Sequence, residues 1–382
     1  MIVFDTYLGG LAALILVILM IRANYFNLIS IINSHLGNNL STSEADNKSS
    51  ASTIKNLASR LYSDQIEEYY KNSPFTRNVE PSKIPSIHVS ELTIDKFVEL
   101  SKNFTHPFVV KGFLKDCAAT KWDLDFFKNR YGETKLPVIK DAGIAEHKKY
   151  ISSSSLCEHE YIKMSDFIDA VKNGNKLYIN NISRIFGYHP ELLNDMNLED
   201  VKKYAGIDLK DEIHVTNLFI GGQGTGTSLH CSITGNFFYN VRGNKKWYLI
   251  DPAYSQYMRP KLSRTGLFAV SLIDICGAKP GDYALNIPRY EVVLEEGDML
   301  FNPPWWWHAI TNTTDYTIAC ANRFTNFWAG FKNNPLFTTI FMSHPISNYT
   351  DFSSGVKTTA EANIMFDKAL LADILKSNKK LE

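Results

Sequence analysis

Residues 227–252 read TSLHCSITGNFFYNVRGNKKWYLIDP. Two aromatic, β-prone runs, NFFYNVRG and KKWYLIDP, meet here at Gly243-Asn244, a hairpin signal. The same texture extends outward: IHVTNLFIGG (213–222) precedes it, and YEVVLEEGDMLFNPP (290–304) and YTIACANRF (316–324) follow. Many short strands broken by Gly, Asn and Pro specify a β-barrel or sandwich. Helical patterns lie to either side. SELTIDKFVELSKN (90–103) has Ser90 or Thr93 as a cap and Phe97, Val98 and Leu100 as its apolar face. KWDLDFFKNRYG (121–132) is a helix ended by Gly132, HPFVVKGFL (106–114) is a strand, and the tail at 358–377 has helical periodicity.

The amino terminus has a different composition. No charge occurs from Thr6 to Ile21, and about 16 such residues span roughly 24 Å as a helix, near the ~30 Å hydrocarbon layer. Tyr7 and Tyr25 suit the two interfaces, and Arg22 can snorkel. A cleaved signal is disfavoured, because Lys and Arg are absent before the apolar run and no small-x-small site follows it. The expectation is therefore a single-pass membrane anchor at 1–25; Asp5 and Arg22 do not set which side the domain occupies. A Ser- and Asn-rich tether is expected over 26–80, the β domain over 81–330 and a helical extension over 331–382.

With 40 basic and 40 acidic residues, the chain has none of the positive excess of a nucleic-acid binder. Its five Cys have no CxxC spacing, which argues against a disulfide framework or structural zinc. GGQGTGTS (221–228) lacks the Lys of a phosphate-binding loop.

His230 in the first stretch and His308 in GDMLFNPPWWWHAI (297–310) carry the chemistry. A lone His in a β domain is usually a packed residue, but two His and a carboxylate hold Fe(II) on one face and leave the other open. Positions i and i+2 of a strand share a face, so His-x-carboxylate can chelate, with the second His coming from a distant strand.

These stretches resemble the JmjC/cupin-like oxygenases that depend on Fe(II) and 2-oxoglutarate, most closely in motif the asparaginyl hydroxylase acting on hypoxia-inducible factor. Asn236-Phe237-Phe238 and Lys245 stand at the family's offsets from His230, Thr227 precedes it by three, and LYIN supplies Tyr178. The segment from Tyr290 to His308 also fits, and Asn322 follows in a later strand. The resemblance covers residues 80–330. It implies a mainly β fold, a double-stranded β-helix (jelly roll or cupin) with flanking helices. It implies His230 and His308 as metal ligands, with Lys245, Thr227, Tyr178, Asn236 and Asn322 around 2-oxoglutarate. Lys245 is preferred to Lys246, which alternation puts on the opposite face. It further implies O2 as co-reactant, a protein side chain as substrate and a homodimer through the carboxyl-terminal helices. Trp305, Trp306 and Trp307 are expected to wall the pocket.

The departure is Ser232, which stands at the carboxylate position; Cys231 beside it points to the opposite face. Three readings stay open. Metal is held by two His and 2-oxoglutarate, with water or Ser232 in the gap; a halide enters the gap; or the domain is a catalytically silent, membrane-tethered binding protein.

Overall fold

A computed structural model describes residues 73–343 apart from 141, 143–158, 197, 206–214 and 264–265. The early chain supplies β1 (Ser86–His88), β2 (Phe108–Lys111), β3 (Lys135–Ile139), β4 (His159–Lys163) and β5 (Tyr178–Ile182). The centre supplies β6 (Val215–Gly222), β7 (Gly226–Ser232), β8 (Thr234–Arg242), β9 (Lys245–Ile250), β10 (Pro260–Leu262) and β11 (Phe268–Ser271). β12 (Tyr290–Leu294), β13 (Met299–Asn302), β14 (Trp307–Asn312) and β15 (Tyr316–Thr325) complete the set. Among the described residues these form a larger sheet, β1-β2-β13-β8-β15-β6-β5-β3-β4, and a smaller one, β10-β11-β7-β14-β9-β12. This is the cupin-like double-sheet fold.

Strand alternation sorts the side chains into three layers. On β8, Phe238 faces the space between the sheets, whereas Phe237, Tyr239 and Val241 face the helices outside the larger sheet. Those helices are α1 (Ile94–Leu100), α2 (Leu124–Tyr131) and α3 (Met164–Lys172), which bury Phe97, Phe127 and Phe167 against it. Thr93 caps α1 by accepting from Lys96 N, and Asp123 caps α2 by accepting from Phe126 N, as their side-chain chemistry favours. α4 (Arg184–Tyr188) and α5 (Leu198–Ala205) follow in the chain. α6 (Phe327–Asn333) and α7 (Pro335–Ser343) come last, and α7 packs Leu336 and Phe337 behind the smaller sheet with Cys231, Trp305 and Trp307.

The expected anchor at 1–25 and most of the tether lie outside the described residues, as does the chain beyond 343. No described helix is long and apolar enough to cross a membrane. The last tether residues run along the domain. Phe75 packs edge-on against Tyr254 and Tyr257, with ring centres 5.5 and 4.8 Å away, and the Arg289 guanidinium donates to the Val79 carbonyl.

The tryptophan run is packing and does not wall the cavity. Trp305 donates its indole N–H to Thr338 Oγ1, Trp306 to the Thr105 carbonyl and Trp307 to Ser255 Oγ, at 2.7–2.9 Å. Each ring is buried with its polar edge satisfied inside the scaffold.

Candidate metal and cosubstrate pocket

β7 and β14 pair antiparallel with His230 directly opposite His308, which brings the two rings to a centre distance of 4.1 Å. Their neighbours Leu229, Cys231, Trp307 and Ala309 point to the opposite face of the smaller sheet. Each imidazole is fixed by its own strand. His230 Nδ1 lies 2.8 Å from the Ser228 carbonyl and His308 Nδ1 lies 2.8 Å from the Trp306 carbonyl. A carbonyl only accepts, so both Nδ1 atoms carry the proton and both Nε2 atoms keep a lone pair. The Asn302 amide lies 3.3 Å from the same nitrogen of His308, and its oxygen is the end that suits a donor there. Burial pushes the His230 pKa down to about 4, and burial with the neighbouring His230 pushes His308 well below its ordinary value. Both rings are neutral at physiological pH, the form that ligates metals.

Ser232 shares the cavity face with His230 but is saturated. Its hydroxyl donates to the Leu267 carbonyl at 3.2 Å. Its oxygen then receives the Thr234 amide at 3.2 Å and the Thr234 hydroxyl at 3.0 Å. Both lone pairs are used, which leaves none for a metal. Cys231 lies on the opposite face, and burial holds its thiol protonated. Among the described residues no Asp or Glu lines the cavity.

Two β-bulges face each other across the cavity. In the β7–β14 ladder, His230 and Thr227 are three residues apart while their partners His308 and Ile310 are two apart. The extra residue turns Thr227 onto the face of His230, which plain alternation would forbid. In the β5–β6 ladder, Ile179 and Ile182 pair with Ile220 and Leu218, so one extra residue sits in β5. Asn181 takes a left-handed φ of 62° there, and Asn180 and Asn181 both line the cavity. Thr227 Oγ1 donates to Asn180 Oδ1 at 3.4 Å. Gly221 makes room for Tyr178: a Cβ at that position would lie 2.5 Å from the ring.

Lys245 points inward and Lys246 outward, as alternation on β9 requires. Lys246 pairs with Glu291 at 2.9 Å on the outside. Lys245 is fully buried behind the cavity: its Nζ donates to Asn312 Oδ1 at 2.6 Å and sits 5.7 Å from the centre of the Tyr178 ring. Burial with no carboxylate partner pushes its pKa down to about 7.

Asn236 lines the cavity from β8, and its Oδ1 is buried without a partner. The indole N–H of Trp247, another lining residue, is likewise unpartnered, and the Trp247 ring stacks on His308 with centres 5.6 Å apart. Asn322 does not reach the cavity. It shares the face of Ile318, Cys320 and Phe324 toward the helical layer and accepts from Thr216 Oγ1 at 2.8 Å. Its neighbour Arg323 enters the cavity instead. The sequence reading missed Arg323, Asn180, Asn181 and Trp247.

The cavity holds about 200 Å³. Phe219, Phe238, Leu267 and Ile310 give it apolar walls, with polar groups gathered at the two bulges and the histidine pair. The double-sheet fold encloses this cavity with paired histidines facing inward and a buried lysine beyond them, a cupin-type arrangement. The chain belongs to the cupin-like domain family, whose model matches residues 96–329. It is 26% identical over 222 residues to JmjC domain-containing protein D of Dictyostelium discoideum, covering 54% of this chain and 48% of that protein. It is 27% identical over 206 residues to a lysine-specific demethylase of Arabidopsis thaliana, covering 52% of this chain and 44% of that protein. It is 23% identical over 263 residues to a tRNA wybutosine-synthesizing protein 4 of Gibberella zeae, covering 65% of this chain and 24% of that protein. The chain thus spans less than half the length of each of these relatives.

Proposed function

We propose that the cavity is a 2-oxoglutarate-dependent oxygenase site in which Fe(II) is held by His230, His308 and the cosubstrate, without a protein carboxylate. The observation that carries this reading is the matched pair of backbone carbonyls, each 2.8 Å from an Nδ1, which leaves two adjacent Nε2 lone pairs for one ion. The donor set fits a metal only in part. Two neutral imidazoles suit iron but bring no negative charge, and Ser232 has no lone pair to add. An anionic chelating cosubstrate supplies what the protein lacks.

In this reading the buried ammonium of Lys245 pairs with the distal carboxylate, and Tyr178 and Thr227 hold the same end. The unpartnered Asn236 Oδ1 and Trp247 indole N–H face the bound molecule and gain partners from it or from water it carries. When bound, iron with 2-oxoglutarate and O2 supplies the oxidising power to hydroxylate a C–H bond. The protein contributes placement and a dry, apolar wall from Phe219, Phe238 and Ile310. A protein side chain is the substrate class this reading favours, in keeping with the relative named as a lysine-specific demethylase.

The test is release of labelled CO2 from 1-labelled 2-oxoglutarate by the full-length chain with Fe(II). Release that disappears in both His230→Ala and His308→Ala supports the reading. Wild-type release no faster than that of the double variant contradicts it.

A further inference from the structure

Arg323 is half-buried, and its guanidinium sits among neutral partners. Its Nε donates to Asn217 Oδ1 at 3.0 Å, Nη1 to Thr234 Oγ1 at 3.2 Å and Nη2 to Asn181 Oδ1 at 2.7 Å. No described carboxylate reaches it. Two other arginines pair with carboxylates: Arg289, which is buried, with Glu291 at 2.7 Å, and Arg242 with Glu296. A guanidinium has five N–H donors, and three are used by these bonds. Arg323 lines the cavity together with His230, His308, Ser232 and Thr234. Thr234 links it to Ser232, since the Thr234 hydroxyl touches both the guanidinium and the Ser232 oxygen. The backbone is arranged around this contact: Asn181 occupies its left-handed conformation at the β5 bulge while its side chain holds the guanidinium.

Relative to a site of two histidines and a carboxylate, this cavity has lost a negative charge at Ser232 and carries a fixed positive one at Arg323. Among the described residues its walls contain no Asp or Glu to balance that charge. A buried charge without a counter-ion is costly, and the cost is removed when an anion enters. The planar fork with spare N–H donors suits a carboxylate, which can accept two parallel hydrogen bonds.

We propose that Arg323 is an anion receptor inside the cavity, binding a carboxylate group of a small molecule beside the two histidines. This seat is separate from Lys245, which lies behind Tyr178. It needs no metal, so it stands or falls independently of the oxygenase reading. The carboxylate belongs either to 2-oxoglutarate or to the molecule acted on.

The test uses the full-length chain stripped of metal by a chelator, at constant ionic strength. Formate, acetate, chloride and 2-oxoglutarate are titrated while melting temperature and tryptophan fluorescence are followed; Trp247 in the cavity wall is the reporter. The expected result is saturable binding of formate and acetate by the wild type, with affinity at least about tenfold lower in Arg323→Gln and partly kept in Arg323→Lys. Acetate that competes with 2-oxoglutarate in the wild type and still binds in Lys245→Met supports the seat and assigns it to the cosubstrate. Acetate that binds alongside saturating 2-oxoglutarate supports it and assigns it to a second molecule. No carboxylate response in the wild type, a response to chloride alone, or equal carboxylate affinity in Arg323→Gln would overturn the proposal. If Arg323→Gln fails to fold, Lys245→Met decides: carboxylate affinity kept in that variant supports the seat at Arg323, and affinity lost in it overturns the proposal.

Discussion

Replacing Lys245 with Met removes a buried, unpaired ammonium, and its effect on stability depends on pH in a way the structure fixes. Burial holds this pKa at about 7 in the folded chain against 10.5 for an exposed lysine. The folded value is the lower one, so between the two values the unfolded chain binds more protons. Wild-type stability therefore rises with pH through that window. Below pH 7 both states are protonated and the full burial cost is felt; above 10.5 neither is charged and the cost is gone. Linkage puts the relief from Lys245→Met at about 4 kcal/mol at pH 7 and about 2 kcal/mol at pH 9. Against it stands a constant loss of roughly 1–3 kcal/mol, because Asn312 Oδ1 loses its donor. The difference between variant and wild type should thus shift by about 2 kcal/mol from pH 7 to pH 9, whatever the constant offset. Urea unfolding of both proteins at pH 7, 8 and 9 without ligand measures it. A difference that is flat across the three pH values would refute the burial argument. Saturating 2-oxoglutarate should flatten it in the proposed function, since a carboxylate beside Lys245 restores its charged form.

Three further outcomes are expected. Ser232→Asp puts a carboxylate beside His230 and near Arg323, and should raise Fe(II) affinity by at least about tenfold in an anaerobic metal titration. Gly221→Ala drives a methyl group into the Tyr178 ring from a buried strand; it should cost about 1–3 kcal/mol in urea unfolding and weaken 2-oxoglutarate binding. Asn322→Ala should cost about 1 kcal/mol through its bond to Thr216 and leave 2-oxoglutarate affinity unchanged, because it faces the helices.

The features legible in the sequence were those carried by alternation. β9 separates Lys245 from Lys246 by parity alone, and the aromatic runs around Gly243 become β8 and β9. Reading failed where parity was broken or ambiguous. Parity alone does not find Thr227, which the resemblance supplied and which reaches the cavity through a bulge; Asn181 was missed for that reason, because a strand with an extra residue leaves no mark in a period-two pattern, whereas Asn180 shares the inward parity of Tyr178 and was simply overlooked. On β15 the choice between Asn322 and Arg323 turned on parity. The signal was present in residue size: Ile318, Cys320 and Phe324 fill the thick helical side, whereas Ala319 and Ala321 face the narrower space between the sheets. Asn322 keeps step with the large residues and Arg323 with the small ones. The tryptophan run misled because its hydrophobic bulk suits a pocket wall as well as a core. Only the partners of its indole N–H groups, which lie far away in sequence, decide between them.

The most direct test of the two-histidine iron site is anaerobic titration of the full-length chain with Fe(II) in the presence of 2-oxoglutarate, watching for the visible metal-to-cosubstrate charge-transfer band. The expected result is a saturable band that is lost in His308→Ala and weakened in Lys245→Met. Folded wild-type protein that takes up no iron and shows no band would contradict it.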